Sequence, residues 1–414
     1  MNIPSIEFLL PLIAISAVFF LLSPSLRQLT LAFCNASFFA MAVPDNSSRL
    51  ALILFVLSGY GTAKILQRKP GRALFAGYTV LLVLVFAVLK HYSAVTILLP
   101  GWVSNHPIGA VGLSYILFRQ IHFLLDVKQG QIIELSLWSY LNYQFNLFGF
   151  ISGPIQRYQE FDSRWRDMPP LLTTGHEVLR AYLRMFVGVI KVVIISSYFL
   201  ANFEMQRRWF LHPGDLARLG RPQVIARFAV VFYGYPIYLY FNFSGYCDVV
   251  ISGAALLGIK MPENFDRPYL SRNVSDYWTR FHQSLGFWIR DYLFTPMYKA
   301  AATRWSDWAQ WLVFPCYLIA FIVAGVWHGN SFNFLVYGLL HGLGICAGKL
   351  WEMYLIKQRG RKGFKAYLAS PGIRIAAIML TLNFVSFTML FFPGSVRMAM
   401  DILRNFADHI IHHG

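Results

Sequence analysis

The sequence predicts an all-α, multi-pass membrane protein, and three observations carry that prediction. Of 414 residues, 57% are hydrophobic and only 13% charged, about half the charged fraction of an ordinary soluble domain. The mean hydropathy is +0.49, and the apolar residues gather into runs near the length that crosses a bilayer. The 36 Lys and Arg against 19 Asp and Glu, a formal charge of +17, lie between those runs and not along one face of a soluble domain. This placement points to anionic lipid and excludes nucleic acid as the partner of the charge. Disorder, a coiled coil and a cytosolic globule are excluded by the same composition.

The first long run, Phe8 to Leu22, follows Glu7 and is followed by no Ala-x-Ala site, so it is expected to be a retained span and not a cleaved signal. Further spans are expected near Arg49 to Leu66, Ala73 to Leu89, Ile108 to Leu125, Leu179 to Leu200, Val224 to Tyr240, Leu312 to Trp327, Phe332 to Leu350 and Ile373 to Phe392. Shorter or more polar candidates are Leu29 to Val43, Leu135 to Ile151 and Tyr246 to Ile259. Together they make roughly 9 to 12 membrane helices in one integrated domain over the whole chain. Arg68, Lys69 and Arg72 place their loop in the cytoplasm, as do Lys357, Arg359, Arg361, Lys362 and Lys365, which read as a second basic loop. His91 to Pro107 carries no Lys, Arg, Asp or Glu and is expected outside, as is the tail after Phe392.

Between Lys260 and Asp307, seven basic residues alternate with five acidic ones, too polar a stretch to span. From Val274, the positions Tyr277, Trp278, Phe281, Leu285, Trp288, Ile289 and Tyr292 recur at helical spacing, which predicts one interfacial amphipathic helix. On such a helix His282 falls about 80° from the centre of the aromatic stripe, at its edge, where a side chain can face a cavity. Arg280 and Arg290 point further away and Asp291 lies on the opposite border. Arg290 and Asp291 read equally as a substrate contact and as an interfacial ion pair.

Ionisable groups in apolar surroundings are costly unless paired or hydrated, which singles out His328. It stands in Ala-Gly-Val-Trp-His-Gly-Asn between two apolar runs, beside Trp327 and close to Asn333. Small and amide residues there suggest a broken helix lining a cavity. A hydrogen-bonded structural role remains open for His328 and is the expectation for His341, deeper in the next run. No nucleophile elbow, Walker loop, dinucleotide fingerprint or His-Glu-x-x-His is present. The four cysteines, Cys34, Cys247, Cys316 and Cys346, contain no CxxC and read as packing residues; no metal site is expected. Histidine without nucleophile or metal suits general-base activation of an acceptor hydroxyl that attacks an activated acyl donor. A transporter or flippase using the same polar groups as a conduit is the alternative.

A series of motifs resembles the membrane-bound O-acyltransferase superfamily, in its bacterial branch of alginate O-acetyltransferases and teichoic-acid D-alanyltransferases. They are Gly112-Leu-Ser-Tyr, Ser152-Gly-Pro-Ile-Gln-Arg-Tyr, Phe243-Ser-Gly-Tyr-Cys-Asp, Pro262-Glu-Asn-Phe, Pro268-Tyr-Leu-Ser, Tyr277-Trp-Thr-Arg-Phe-His-Gln-Ser-Leu, Trp288-Ile-Arg-Asp-Tyr-Leu, Gly325-Val-Trp-His-Gly and Tyr337-Gly-Leu-Leu-His-Gly. The resemblance spans about 112–342. It implies a ring of membrane helices around a thin wall pierced by a reaction tunnel, in a cytoplasmic (inner) membrane. It implies that His328 is catalytic and that His282 lies on the same tunnel, with Trp278, Arg280, Arg290, Asp291, Trp327 and Asn333 as candidate substrate contacts. Phe281 stands where many relatives carry Trp. No bound cofactor is expected. The implied co-substrate is an acyl thioester, acetyl-CoA or an acylated acyl-carrier protein. The implied acceptor is a hydroxyl of an envelope glycan or teichoic acid, reached directly or through a membrane or periplasmic relay protein.

Overall fold

The computed structural model describes residues 6–90, 92, 112–170 and 172–412, and among them there is no strand, only an isolated bridge between Phe265 and Phe281. Six helices among the described residues are long and apolar enough to cross a membrane: Asn46–Arg68, Arg72–Leu89, Arg221–Leu256, Ser306–His328, Phe332–Ala369 and Pro371–Met389. Their apolar side chains are turned outward to an unusual degree. Only 17% of the Arg72–Leu89 window is buried, and Val80, Ile375 and Leu380 are exposed, as expected where lipid is the solvent. This is a multi-pass membrane protein.

Several expected boundaries differ for identifiable reasons. Val224 to Tyr240 and Tyr246 to Ile259 are not two spans but parts of one helix, Arg221–Leu256. Asn242, Ser244 and Gly245, which lie between the two expected spans, are compatible with a continuous helix, because helical backbone satisfies its own hydrogen bonds. Leu135 to Ile151 is no span: it breaks into Leu137–Gln144 and Leu147–Phe150, with the Asn146 side chain capping Phe148 N–H at 3.0 Å. The basic stretch Lys357 to Lys365 is not a loop either. It lies across a break within Phe332–Ala369 that joins two helices, the first of which, 332–359, alone reaches about 42 Å, beyond a ~30 Å hydrocarbon core. Gly360, at φ 64°, turns the helix there. Gly175–Ile190, the π-helical Lys191–Ser196 and Ser197–Leu211 follow one another without interruption. The expected outer loop His91 to Pro107 lies outside the described residues, Tyr92 excepted.

The chain divides into two compact units, Met1–Val189 with Tyr246–Glu263, and Ile190–Gly245 with Asn264–Gly414. In the first, Arg119 is buried and donates to the carbonyls of Tyr143 (2.9 Å) and Gln144 (3.0 Å). These end the helix Leu137–Gln144, where the backbone dipole is negative and a cation is favoured. Gly149 makes room for the guanidinium: a Cβ there would fall 1.8 Å from Nη2. Tyr143 donates its hydroxyl hydrogen to the Gln156 carbonyl, and Gln156 donates to that of Lys260. The Gln of Ser152-Gly-Pro-Ile-Gln therefore ties two segments of this unit together. Arg184 adds a fork to Asp248 and Glu263.

In the second unit the C-terminal helix Val396–His412 packs its apolar side against Ser197–Leu211. Phe228 and Phe406 stack at 3.9 Å, and Asn405 donates to Phe210 O at 2.7 Å. A separate aromatic core gathers Tyr277, Trp278, Phe281, Phe321, Tyr337 and Val385, and the histidines border it.

Candidate active site

His328 is the last residue of Ala309–His328, and Gly329 continues in extended backbone. The glycines of its motif explain how it is presented. A Cβ on Gly325 would lie 2.3 Å from Phe334 O and 2.8 Å from Gly338 Cα, so Ala309–His328 and Phe332–Ala369 cross backbone against backbone. The crossing places Phe334, Tyr337 and Phe392 around the imidazole, with ring centroids at 6.2, 6.2 and 5.2 Å, and Trp327 at 4.9 Å. His328 is half-buried. Neither ring nitrogen bonds a protein group among the described residues, so an aromatic cage holds the ring while neither nitrogen is spent on the fold.

His282 is held in a different way. The expected continuous helix from Val274 does not exist. Val274–Trp278 ends, Gln283–Trp288 begins, and His282 between them sits at φ 53°, ψ 50°. This left-handed geometry is uncommon for a residue with a Cβ and persists only when its surroundings enforce it. The helical-wheel angle assigned to His282 is therefore replaced by this break. Here the enforcement is a short pairing with Asn264-Phe265-Asp266: Asp266 N–H donates to Arg280 O (2.9 Å) and Gln283 N–H to Asn264 O (3.0 Å).

The Asn264 side chain then fixes the imidazole. Its Oδ1 accepts from Ser284 N–H (3.1 Å) and Ser284 Oγ–H (2.9 Å), and contacts His282 Nδ1 at 3.2 Å. A backbone N–H can only donate, so the oxygen faces this side, Nδ1 carries the proton, and Nε2 keeps its lone pair. Phe243 packs edge-on against the ring at 4.7 Å. Burial, helped by the nearby His328 imidazole, pushes His282 down to about 3. His282 and His328 thus belong to one electrostatic neighbourhood.

His341 has no such freedom. Its Nδ1 accepts from Trp278 Nε1–H (3.1 Å), which makes Nε2 the protonated nitrogen, donating to Thr388 Oγ1 (3.0 Å), whose own hydrogen goes to Val385 O (2.8 Å). It is a structural histidine. Trp278 is correspondingly buried and committed to it. Arg280 pairs with Asp276 (2.8 Å) and Asp266 (3.5 Å), and Arg290 with Asp291 (2.7 Å). Asn333 is buried and donates to Phe391 O at 3.0 Å. Among the eight residues singled out in the sequence, the two histidines and Trp327 are thus gathered at the cage or beside it. Asn264, Phe243 and Phe392 were not singled out; Asn264 stood inside the Pro262-Glu-Asn-Phe motif but had no role attached. No group of three or more His, Cys, Asp or Glu among the described residues is arranged to hold a metal.

A model of the membrane-bound O-acyltransferase family matches residues 113–391, beyond the stretch covered by the motifs. A teichoic acid D-alanyltransferase of Bacillus subtilis is 28% identical over 84% of this chain and 86% of its own length. A peptidoglycan O-acetyltransferase of Helicobacter pylori is 24% identical over 72% of this chain and 57% of its own. A probable alginate O-acetylase of Pseudomonas putida is 24% identical over 59% and 47%.

Proposed function

This chain belongs to the membrane-bound O-acyltransferase family, and on that premise we propose that His328 is the base with which it activates an acceptor hydroxyl. The chain is an O-acyltransferase, as its relatives are. The donor in this reading is a thioester, acetyl-CoA or an acylated carrier protein, presented from the cytoplasmic side of the cytoplasmic membrane. The acyl group is acetyl or D-alanyl, and the acceptor is an envelope glycan or teichoic acid, reached directly or through a relay protein.

The hydroxyl proton passes to a free nitrogen of His328 as the oxygen bonds the thioester carbonyl carbon. The C–S bond then breaks, and the proton leaves His328 for the departing sulfur. A positioned base of this kind contributes about 10² to 10⁴ in rate. The aromatic walls keep water, the competing nucleophile, from the thioester. With Nδ1–H committed to Asn264, His282 offers substrate only an acceptor at Nε2, so it positions a donor-bearing group and is not the acid.

The observation that carries this reading is the unpartnered imidazole of His328 in its aromatic cage, beside a second histidine fixed in a single tautomer. Labelled acetyl-CoA and D-alanyl carrier protein should each be offered to membranes containing His328→Ala at wild-type abundance. Turnover with the productive donor should fall at least about 10²-fold; near-normal turnover would refute the assignment. Arg267, Arg272, Arg280, Arg290, Lys299 and Arg304 form the proposed docking surface for an anionic donor. Raising salt from 0.15 to 1 M, which shortens the Debye length from about 8 to about 3 Å, should therefore raise the donor KM and leave the acceptor KM nearly unchanged.

A further inference from the structure

The second unit holds a cavity of about 1000 Å³ between Phe332–Ala369 and Pro371–Met389, and nothing in the reaction above uses it. Its long walls are apolar and its floor is made of small residues: Gly344, Ala347 and Gly348 on one helix, Ala376 and Ala377 on the other. From Ile373 to Phe384 it follows the helix for about 16 Å, close to the ~15 Å half-thickness of bilayer hydrocarbon. The turn at Gly360 brings Phe364 and Leu368 over its outer end.

Five charged residues line the cavity: Arg272, Asp276, Lys349, Glu352 and Arg374. Lys349 pairs with Glu352 at 3.0 Å, and Asp276 is engaged by Arg280 at 2.8 Å. The guanidinium groups of Arg272 and Arg374, both exposed residues, have no ion pair among the described residues, although the Arg272 backbone N–H donates to Asp276 at 3.0 Å. Arg374 sits in the first turn of Pro371–Met389, whose capping Ser370 makes no side-chain bond to the helix, so orphan backbone N–H groups and the positive dipole end add to its field. The same end of Phe332–Ala369 carries Lys357, Arg359, Arg361, Lys362 and Lys365, the charge expected to face an anionic leaflet. An apolar slot one leaflet deep, open beside exposed hydrophobic helices and closed by two unpaired arginines, has the shape and charge of a lipid with a negative headgroup.

We infer that this cavity is a specific site for an anionic phospholipid, with Arg272 and Arg374 on the headgroup phosphate and one acyl chain along Ala376, Ala377 and Gly348.

The test is native mass spectrometry of the purified full chain from nanodiscs of equal phosphatidylglycerol and phosphatidylcholine. Wild type should retain phosphatidylglycerol preferentially. The Arg272→Ala/Arg374→Ala double variant should lose that retention about 30-fold, the product of two surface contacts. Gly348→Trp, at a position where a Cβ would meet nothing within 4 Å, should at wild-type thermal midpoint block the slot and remove lipid regardless of headgroup. Equal retention of the two lipids by wild type, unchanged retention in both variants, or displacement of the lipid by free coenzyme A would each overturn the inference, the last by assigning the cavity to the donor arm.

Discussion

Asn264 makes the sharpest demand on the reading of His282. Its Oδ1 is the shared acceptor for Ser284 N–H, Ser284 Oγ–H and His282 Nδ1–H, so Asn264→Ala strands three donors in a buried site. The Ser284 hydroxyl can rotate to another acceptor, whereas the backbone N–H and the imidazole cannot. Each buried donor left unmade costs about 1 to 3 kcal/mol, which should appear first as a lower thermal midpoint. The part that reaches catalysis is the loss of a fixed tautomer, about 1 to 2 kcal/mol for one hydrogen bond, or about 5 to 30-fold in kcat. Asn264→Asp separates geometry from charge. The carboxylate accepts the same three bonds, so turnover at neutral pH should largely recover. Its negative charge stabilises the imidazolium, so the His282 pKa must rise from about 3 and the acid limb of the pH–rate profile must move to higher pH. Initial rates with labelled donor from pH 3 to 8, at matched protein, give both quantities. An Asn264→Ala enzyme with wild-type kcat, or an Asn264→Asp profile that does not move, would refute the role given to Asn264 and with it the tautomer of His282.

His341→Gln should lower the thermal midpoint, since a glutamine cannot bridge both Trp278 and Thr388, yet retain far more turnover than His328→Ala; equal catalytic loss at matched abundance would contradict the structural role. Replacing Cys34, Cys247, Cys316 and Cys346 together by Ser or Ala should preserve most activity if transfer is direct, as proposed; labelled acyl recovered on any of these thiols during turnover would contradict it. His282 also sets a pH dependence of stability. Its folded value of about 3 lies below the unfolded 6.5, so between these values the unfolded chain binds more protons. Its contribution is then complete above pH 6.5 and falls by about 2 kcal/mol by pH 5. Thermal midpoints in detergent from pH 7 to 5 should fall less steeply for His282→Gln than for wild type, and parallel slopes would rule the contribution out.

The membrane class was legible because hydropathy reports directly what lipid requires of a helix surface. Helix ends were less so. Hydropathy cannot separate a polar break from a polar residue tolerated inside a continuous helix, and the runs either side of Phe243-Ser-Gly-Tyr were read apart although Arg221–Leu256 is unbroken. The reverse error occurred at Val274 to Tyr292, where aromatic spacing of three, four and seven satisfied a helical wheel. The periodicity was real but was produced by two short helices whose aromatic faces share one core. What interrupts them is a tertiary pairing with Asn264-Phe265-Asp266, and no local pattern encodes that pairing.

The same limit separates His328 from His282 and His341. For His328 the local sequence was sufficient, because glycines on both of its helices and the polar break after Trp327 are the physical causes of its presentation: Gly325 against Gly338 lets the backbones touch. For the other two, the distinguishing fact is what each nitrogen bonds, and the partners lie 18 residues away for His282 and 63 and 47 residues away for His341. Trp278, adjacent in the sequence to the motif that carries His282, is bonded to the structural histidine instead of the substrate. The shared neighbourhood therefore divides its labour by hydrogen-bond saturation. His341 spends both nitrogens on the fold, His282 spends one and keeps one, and His328 spends neither, so in the proposed reaction His328 is the base, His282 a positioning acceptor and His341 takes no part.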